Sequence, residues 1–112
     1  AKDTMNLLQG TLDLLVLKAL VWGPRHGYEV ARWVRDTTGG TLEVDDGALY
    51  RSLHRLEKRG LVESEWGIAE TGRRAKFYSH TRAGRRAMQT ETEQWQRYAE
   101  AVFKVLKAAE AV

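Results

Sequence analysis

The chain has 112 residues, 43% hydrophobic and 29% charged, which is the size and balance of one ordinary globular domain rather than of a disordered segment. It has no cysteine, which excludes a disulfide framework and thiolate metal sites and fits a reducing cytoplasm. The net charge is +3 and the sequence pI about 9.4, as in nucleic-acid-binding domains, where clustering of the cations is the stronger sign.

The first helix is expected from about Asn6 to Trp22. Leu7, Leu8, Leu12, Leu14, Leu15, Val16, Leu17, Leu20 and Val21 make it apolar on nearly every side, as in a helix buried all round. Gly23-Pro24 stops it. Its longest apolar stretch is broken by Asp13 and Lys18 and falls short of the ~20 residues of a membrane span. No secretory signal is visible, and residues 1–5 are assigned no role.

The second helix spans about Gly27 to Thr37, with a one-sided stripe of Val30, Ala31 and Val34, and ends at Gly39-Gly40. The third runs from about Asp46 to Arg59, with Asp45 or Asp46 as N-cap and Gly60 just past its end. Leu49, Leu53 and Leu56 form an apolar face; Arg51, Arg55 and Lys58 repeat that spacing as a basic face. Strand-like runs follow at Leu61–Trp66 and Ala75–His80, joined through Gly67–Arg74 as a hairpin with a long tip that carries Arg73 and Arg74, with Lys76 on the returning strand.

The last helix starts at Thr81 as N-cap and is expected to continue toward the end of the chain. Met88, Trp95, Val102 and Ala109 recur every seven residues, and Tyr98, Val105 and Val112 fill an intervening row beside Ala99 and Leu106. The compact part of so small a domain cannot cover a seam of that length. A second copy is therefore expected on Met88, Trp95, Tyr98, Val102, Val105 and Leu106.

The expected fold is mainly α: a winged helix-turn-helix with a two-stranded β-wing (residues 6–80) and a long C-terminal dimerisation helix (81–112). In such a unit the second helix of the pair reads the major groove with its early residues. That helix carries the basic face here, so Gly47, Ala48, Tyr50, Arg51 and Arg55 are the expected reading or positioning residues. Arg73, Arg74 and Lys76 of the wing would hold the flanking backbone. Tyr50 is either a half-buried core aromatic or a residue that packs its ring and points its hydroxyl at a phosphate.

An enzyme is disfavoured. His26, His54 and His80 fall in three elements without metal-ligand spacing, and no phosphate loop or nucleophile motif is present. Asp45-Asp46 suits a cap better than an acid–base pair, and His26 suits a helix start better than a base. No metal or cofactor is expected. A winged helix that binds protein rather than DNA is the competing reading, which the Arg/Lys face opposes.

Several ordered segments carry a family resemblance. Leu8–Leu15, Gly23-Pro24 and His26-Gly27-Tyr28-Glu29-Val30 resemble the opening of the PadR-like transcriptional regulators. Gly47-Ala48-Leu49-Tyr50, Leu53–Glu57 and Gly60-Leu61 resemble their recognition helix, and Ser64–Gly67, Gly72–Tyr78 and Thr81 their wing. The resemblance covers residues 7 to about 100 and implies a homodimeric winged-helix regulator, usually a repressor. With one C-terminal helix it is similar to the compact branch. In some members of that branch a tryptophan of the last helix lines a central pore and stacks on small aromatic or drug-like effectors. Trp95 takes that place, with Asp13, Leu14 and Ala99 as its neighbours. Two residues depart from the family pattern: Arg51 stands where proline is usual, and His80 where leucine is usual.

Overall fold

The computed structural model describes residues 10–110. Among these, α1 (Thr11–Ala19), β1 (Arg25–His26), α2 (Gly27–Thr37), α3 (Asp46–Lys58), β2 (Val62–Ile68), β3 (Arg74–His80) and α4 (Arg82–Lys107) follow in order. The arrangement is a winged helix. Three helices enclose the core, the sheet flanks it, and α4 starts from the sheet and projects away.

α1 is shorter than its apolar run. It ends at Ala19, where the Leu20 and Val21 amides bond the Leu17 and Lys18 carbonyls three residues back (3.2 and 3.1 Å). Gly23, at a φ of 133°, and Pro24 then turn the chain. The expected starting residues Asn6, Leu7 and Leu8 lie outside the described residues. The expectation of burial all round is corrected. Val16, Leu17 and Ala19 are buried, but Leu14 and Leu15 are half-buried and Val21 and Trp22 exposed. One flank of α1 is left uncovered by its own chain.

α2 opens with a reciprocal cap: His26 Nδ1 accepts from the Glu29 amide (3.4 Å) and Glu29 Oε1 accepts from the His26 amide (3.2 Å). Val30 and Val34 face the core. α3 is capped by Asp45, whose carboxylate accepts from the Ala48 amide (3.0 Å). It closes at Gly60, φ 75°, with the Leu61 amide on Leu56 O (2.9 Å) and the Gly60 amide on Glu57 O (3.0 Å). Leu49, Leu53 and Leu56 are buried, and so is Ser52 between them.

The expected two-stranded wing is present, and a short third strand joins its sheet. β2 and β3 form the antiparallel hairpin in the register Val62↔His80 to Ile68↔Arg74, and β1 lies on the other edge of β3 through Arg25↔Tyr78 and His26↔Phe77. Two residues are too few to show an alternating pattern, and their partner is distant in sequence. The hairpin strands also run further than expected, which reduces the tip to residues 69–73. Its closing bonds are Ala69 N to Arg73 O and Gly72 N to Ala69 O (both 2.8 Å).

Three bonds anchor α4. Thr81 Oγ1 donates to Gly60 O (2.7 Å) and accepts from the Gly84 amide (3.0 Å), while the Thr81 amide donates to Leu61 O (3.1 Å). Gly84 is buried, and Ala87 and Met88 pack on the core. The next five turns extend free of it, and the helix stops at Lys107. Ala109, expected in the seam, lies past the helix end; Val112 lies outside the described residues. His80 is half-buried, and its Nε2 hydrogen-bonds Leu17 O, so it ties the base of the wing to α1. Among the described residues no helix is long and apolar enough to cross a membrane.

Candidate nucleic-acid interface

The Asp45 cap fixes the first turn of α3 and leaves Gly47, Tyr50 and Arg51 exposed, with Ala48 half-buried. Tyr50 is 57% exposed, so it is not a core aromatic. Its ring nevertheless rests on α2: a Cβ at Gly27 would sit 3.3 Å from the Tyr50 hydroxyl and 3.4 Å from the ring. Glycine at 27 leaves room for the Tyr50 ring and hydroxyl against the start of α2. Arg51 folds back over the α3 N-terminus, where a Cβ at Gly47 would lie 3.2 Å from its Nη1 and from Asp45 Oδ2.

On the wing, Trp66 pairs across the strands with Lys76. The Arg74 guanidinium lies 4.7 Å and the Lys76 ammonium 6.0 Å from the centre of the exposed Trp66 ring. Indole faces attract cations, so the ring gathers two positive charges on one side of the hairpin. On α2 the Arg32 guanidinium lies 5.5 Å from the Tyr28 ring in the same manner.

These groups converge. α2, α3 and the wing enclose an open cleft of about 1010 Å³, lined among others by Tyr28, Arg32, Tyr50, Trp66, Arg73, Arg74 and Lys76. Glu29 and Glu70 also border it, but Glu29 is engaged by the α2 cap. The expected wing cations and Tyr50 are thus brought to one place. Tyr28, Arg32 and Trp66 are additions. Arg32 follows Tyr28 by four residues, so a projection of the polar face of α2 would have revealed the pair. The chemistry of the cleft is that of a polyanion site: guanidinium, ammonium and phenol donors over a surface with apolar faces.

Arg55, expected to face DNA, is exposed and also engages a carboxylate of α1. Its Nη2 donates to Asp13 Oδ1 (2.7 Å) and its Nε to Asp13 Oδ2 (3.3 Å), while Ser52 Oγ donates to Asp13 Oδ1 (2.5 Å). Hydrogen bonding to Asp13 raises the Arg55 pKa above its ordinary value. Burial raises that of the Tyr78 hydroxyl in the cleft wall, with Glu57 and then Tyr50 adding to the rise. Burial lowers that of His80, as does Arg85, against the opposing bond to Leu17 O.

The expected effector and dimer residues separate into two groups. Asp13 is committed to α3, and Met88 lies against its own core. Trp95, Tyr98, Val102, Val105 and Leu106, joined by Phe103, are exposed along α4, from 36% at Val102 to 75% at Val105. Leu14 and Ala99 are half-buried.

Comparison with known proteins agrees with this geometry. The sequence model of the "Transcriptional regulator PadR-like family" matches residues 16–90. The fold is similar to that of a transcriptional regulator from Clostridium thermocellum (29% identity, 88% of this chain and 93% of that one, TM-score 0.80). It is similar also to a PadR family transcriptional regulator from Eggerthella lenta (31% identity, 90% and 86%, TM-score 0.76). A protein from Lysinibacillus sphaericus is 26% identical over 90 residues, 80% of this chain and 83% of its own length.

Proposed function

The chain belongs to the PadR-like family of DNA-binding transcriptional regulators, and from that premise we propose that it is a homodimeric repressor that occupies an inverted repeat in duplex DNA in the cytoplasm. The observation that carries the reading is the cleft between α2, α3 and the wing, where cations and tyrosines from three elements face one open space. Gly47 and Ala48 let the start of α3 approach the bases. Tyr50 and Arg51 position it, and Arg73, Arg74 and Lys76 hold the flanking backbone, assisted by Tyr28 and Arg32.

Dimerisation supplies the second half. Trp95, Tyr98, Val102, Phe103, Val105 and Leu106 are all exposed along α4, and grouped exposed apolar side chains of this kind mark interaction surfaces. A second copy of α4, with the uncovered flank of α1, covers them. Reading an inverted repeat would require the two-fold axis to hold the α3 helices about 34 Å apart, one turn of the duplex.

The test is binding of a labelled mixed-sequence duplex across roughly 50 to 200 mM salt. Each neutralised phosphate contributes about −0.9 to the slope of log affinity against log salt. Arg32, Arg51, Arg73, Arg74 and Lys76 from two subunits would bring it toward about −9. A flat response rejects the reading in favour of a protein-binding module.

The same dimer would hold an effector. Trp95, 45% exposed with the small Ala99 one turn on, would present its indole to its twin across the dimer axis and leave room for a flat aromatic molecule. Such a ligand relieves repression only if it prefers the dimer geometry that cannot bind DNA. Trp22 and Trp66 are also exposed, so the check compares wild type with Trp95→Ala. Equal quenching of both by planar aromatic dyes removes the pocket.

A further inference from the structure

Arg55 lies on the solvent side of α3 beside Arg51 and has the composition of a phosphate contact, yet the structure gives it another partner. Its side chain is 53% exposed, whereas that of Asp13 is 14% exposed. The pair is bidentate: Nη2 to Oδ1 at 2.7 Å and Nε to Oδ2 at 3.3 Å. Oδ1 also accepts from the hydroxyl of Ser52, which is fully buried one turn earlier on α3. Two consecutive turns of α3 are therefore held by one carboxylate of α1, forty-two residues away in sequence for Arg55.

Burial on apolar side chains alone leaves a helix some freedom to roll, because leucine contacts are non-directional. A planar guanidinium on a planar carboxylate is directional, and it defines a rotation angle. The roll of α3 decides where Gly47, Ala48 and Tyr50 stand relative to base edges. We propose that Asp13 is a positioning residue for the DNA-reading helix, and that Arg55 serves this clamp and neutralises no phosphate.

This rests on the DNA-binding reading, and the two fail differently. If the wild-type protein shows no salt-dependent binding, the function is wrong. If it binds and the Arg55 variants behave as phosphate contacts, only the clamp is wrong. The probes are a mixed-sequence duplex and a duplex selected by the wild-type protein from a random pool. Arg55→Gln is expected to leave the salt slope on the mixed duplex unchanged, whereas Arg73→Gln should flatten it by about 0.9 for each phosphate no longer neutralised.

Preference for the selected over the mixed duplex should fall about tenfold in Arg55→Gln and in Asp13→Asn. The double variant should lose no more than either single one, because the residues act as a unit. Arg55→Lys separates the roles without removing the charge. Lysine can hold a phosphate but cannot make the bidentate pair, so the clamp predicts the same loss of preference. A flattened slope in Arg55→Gln, a wild-type preference in Arg55→Lys, or multiplying losses in the double variant would overturn the inference.

Discussion

Gly84→Ala sets two physical effects against each other with opposite signs. Within helices alanine is favoured over glycine by roughly 0.8–1 kcal/mol, so propensity alone predicts a more stable protein. Position 84, however, is where α4 crosses the start of β2. A Cβ there would lie 2.9 Å from the Leu61 carbonyl carbon and nearer still to its oxygen. The obstacle is backbone, so no rotamer change relieves it, and α4 must retreat by roughly an ångström. That retreat pulls on the bonds that fix the helix start, Thr81 N to Leu61 O (3.1 Å) and Thr81 Oγ1 to Gly60 O (2.7 Å).

Overpacking typically costs about 1–3 kcal/mol and a weakened hydrogen bond about 1 kcal/mol, so the net loss should be about 1–3 kcal/mol after the propensity gain. Urea unfolding followed by circular dichroism at fixed protein concentration measures it, since the proposed self-association would make the midpoint depend on concentration. Ala83→Gly, at the exposed neighbouring position, is the control and should lose no more than about 1 kcal/mol. A Gly84→Ala protein as stable as wild type would refute the close approach of α4 to Leu61.

Thr81→Ala removes both the acceptor for the Gly84 amide and the donor to Gly60 O. It should cost about 1–2 kcal/mol in the same assay, and Thr81→Ser should restore most of it. His80 titrates below its ordinary value in the folded protein. Its contribution is therefore fully present above the unfolded pKa of about 6.5 and is lost as pH falls through that value toward the depressed one. Stability should drop on acidification over that window, and His80→Leu should remove this part of the slope; an unchanged slope would show that His80 is not held neutral. Leu106→Glu alters a residue that is 71% exposed in the single chain, so the fold should survive. Sedimentation should nevertheless shift toward the monomer, and an unaltered dimer would place the interface elsewhere.

The order of the helices and the hairpin, the caps and the cationic wing were legible along the chain because they depend on residues close together. Asp45 caps α3 within three residues, Gly60 closes it through a left-handed turn, and Thr81 starts α4 by accepting from Gly84. The heptad rows of α4 follow from helix geometry in the same way. Sequence alone thus determined a helical domain with a hairpin and an apolar tail too long for its own core to cover.

Only the tertiary structure decided which charged groups are available. Arg51 and Arg55 share one face of α3, but Asp13 engages Arg55 across a separation that no periodicity reports. β1 exists because β3 accepts it, not because Arg25-His26 favours a strand. Tyr28, Arg32 and Trp66 join the wing cations because the packing of α2 against α3 turns their faces into one cleft. Local hydrogen bonding is encoded within a few residues, whereas the partner of a side chain is set by how separate elements meet in space.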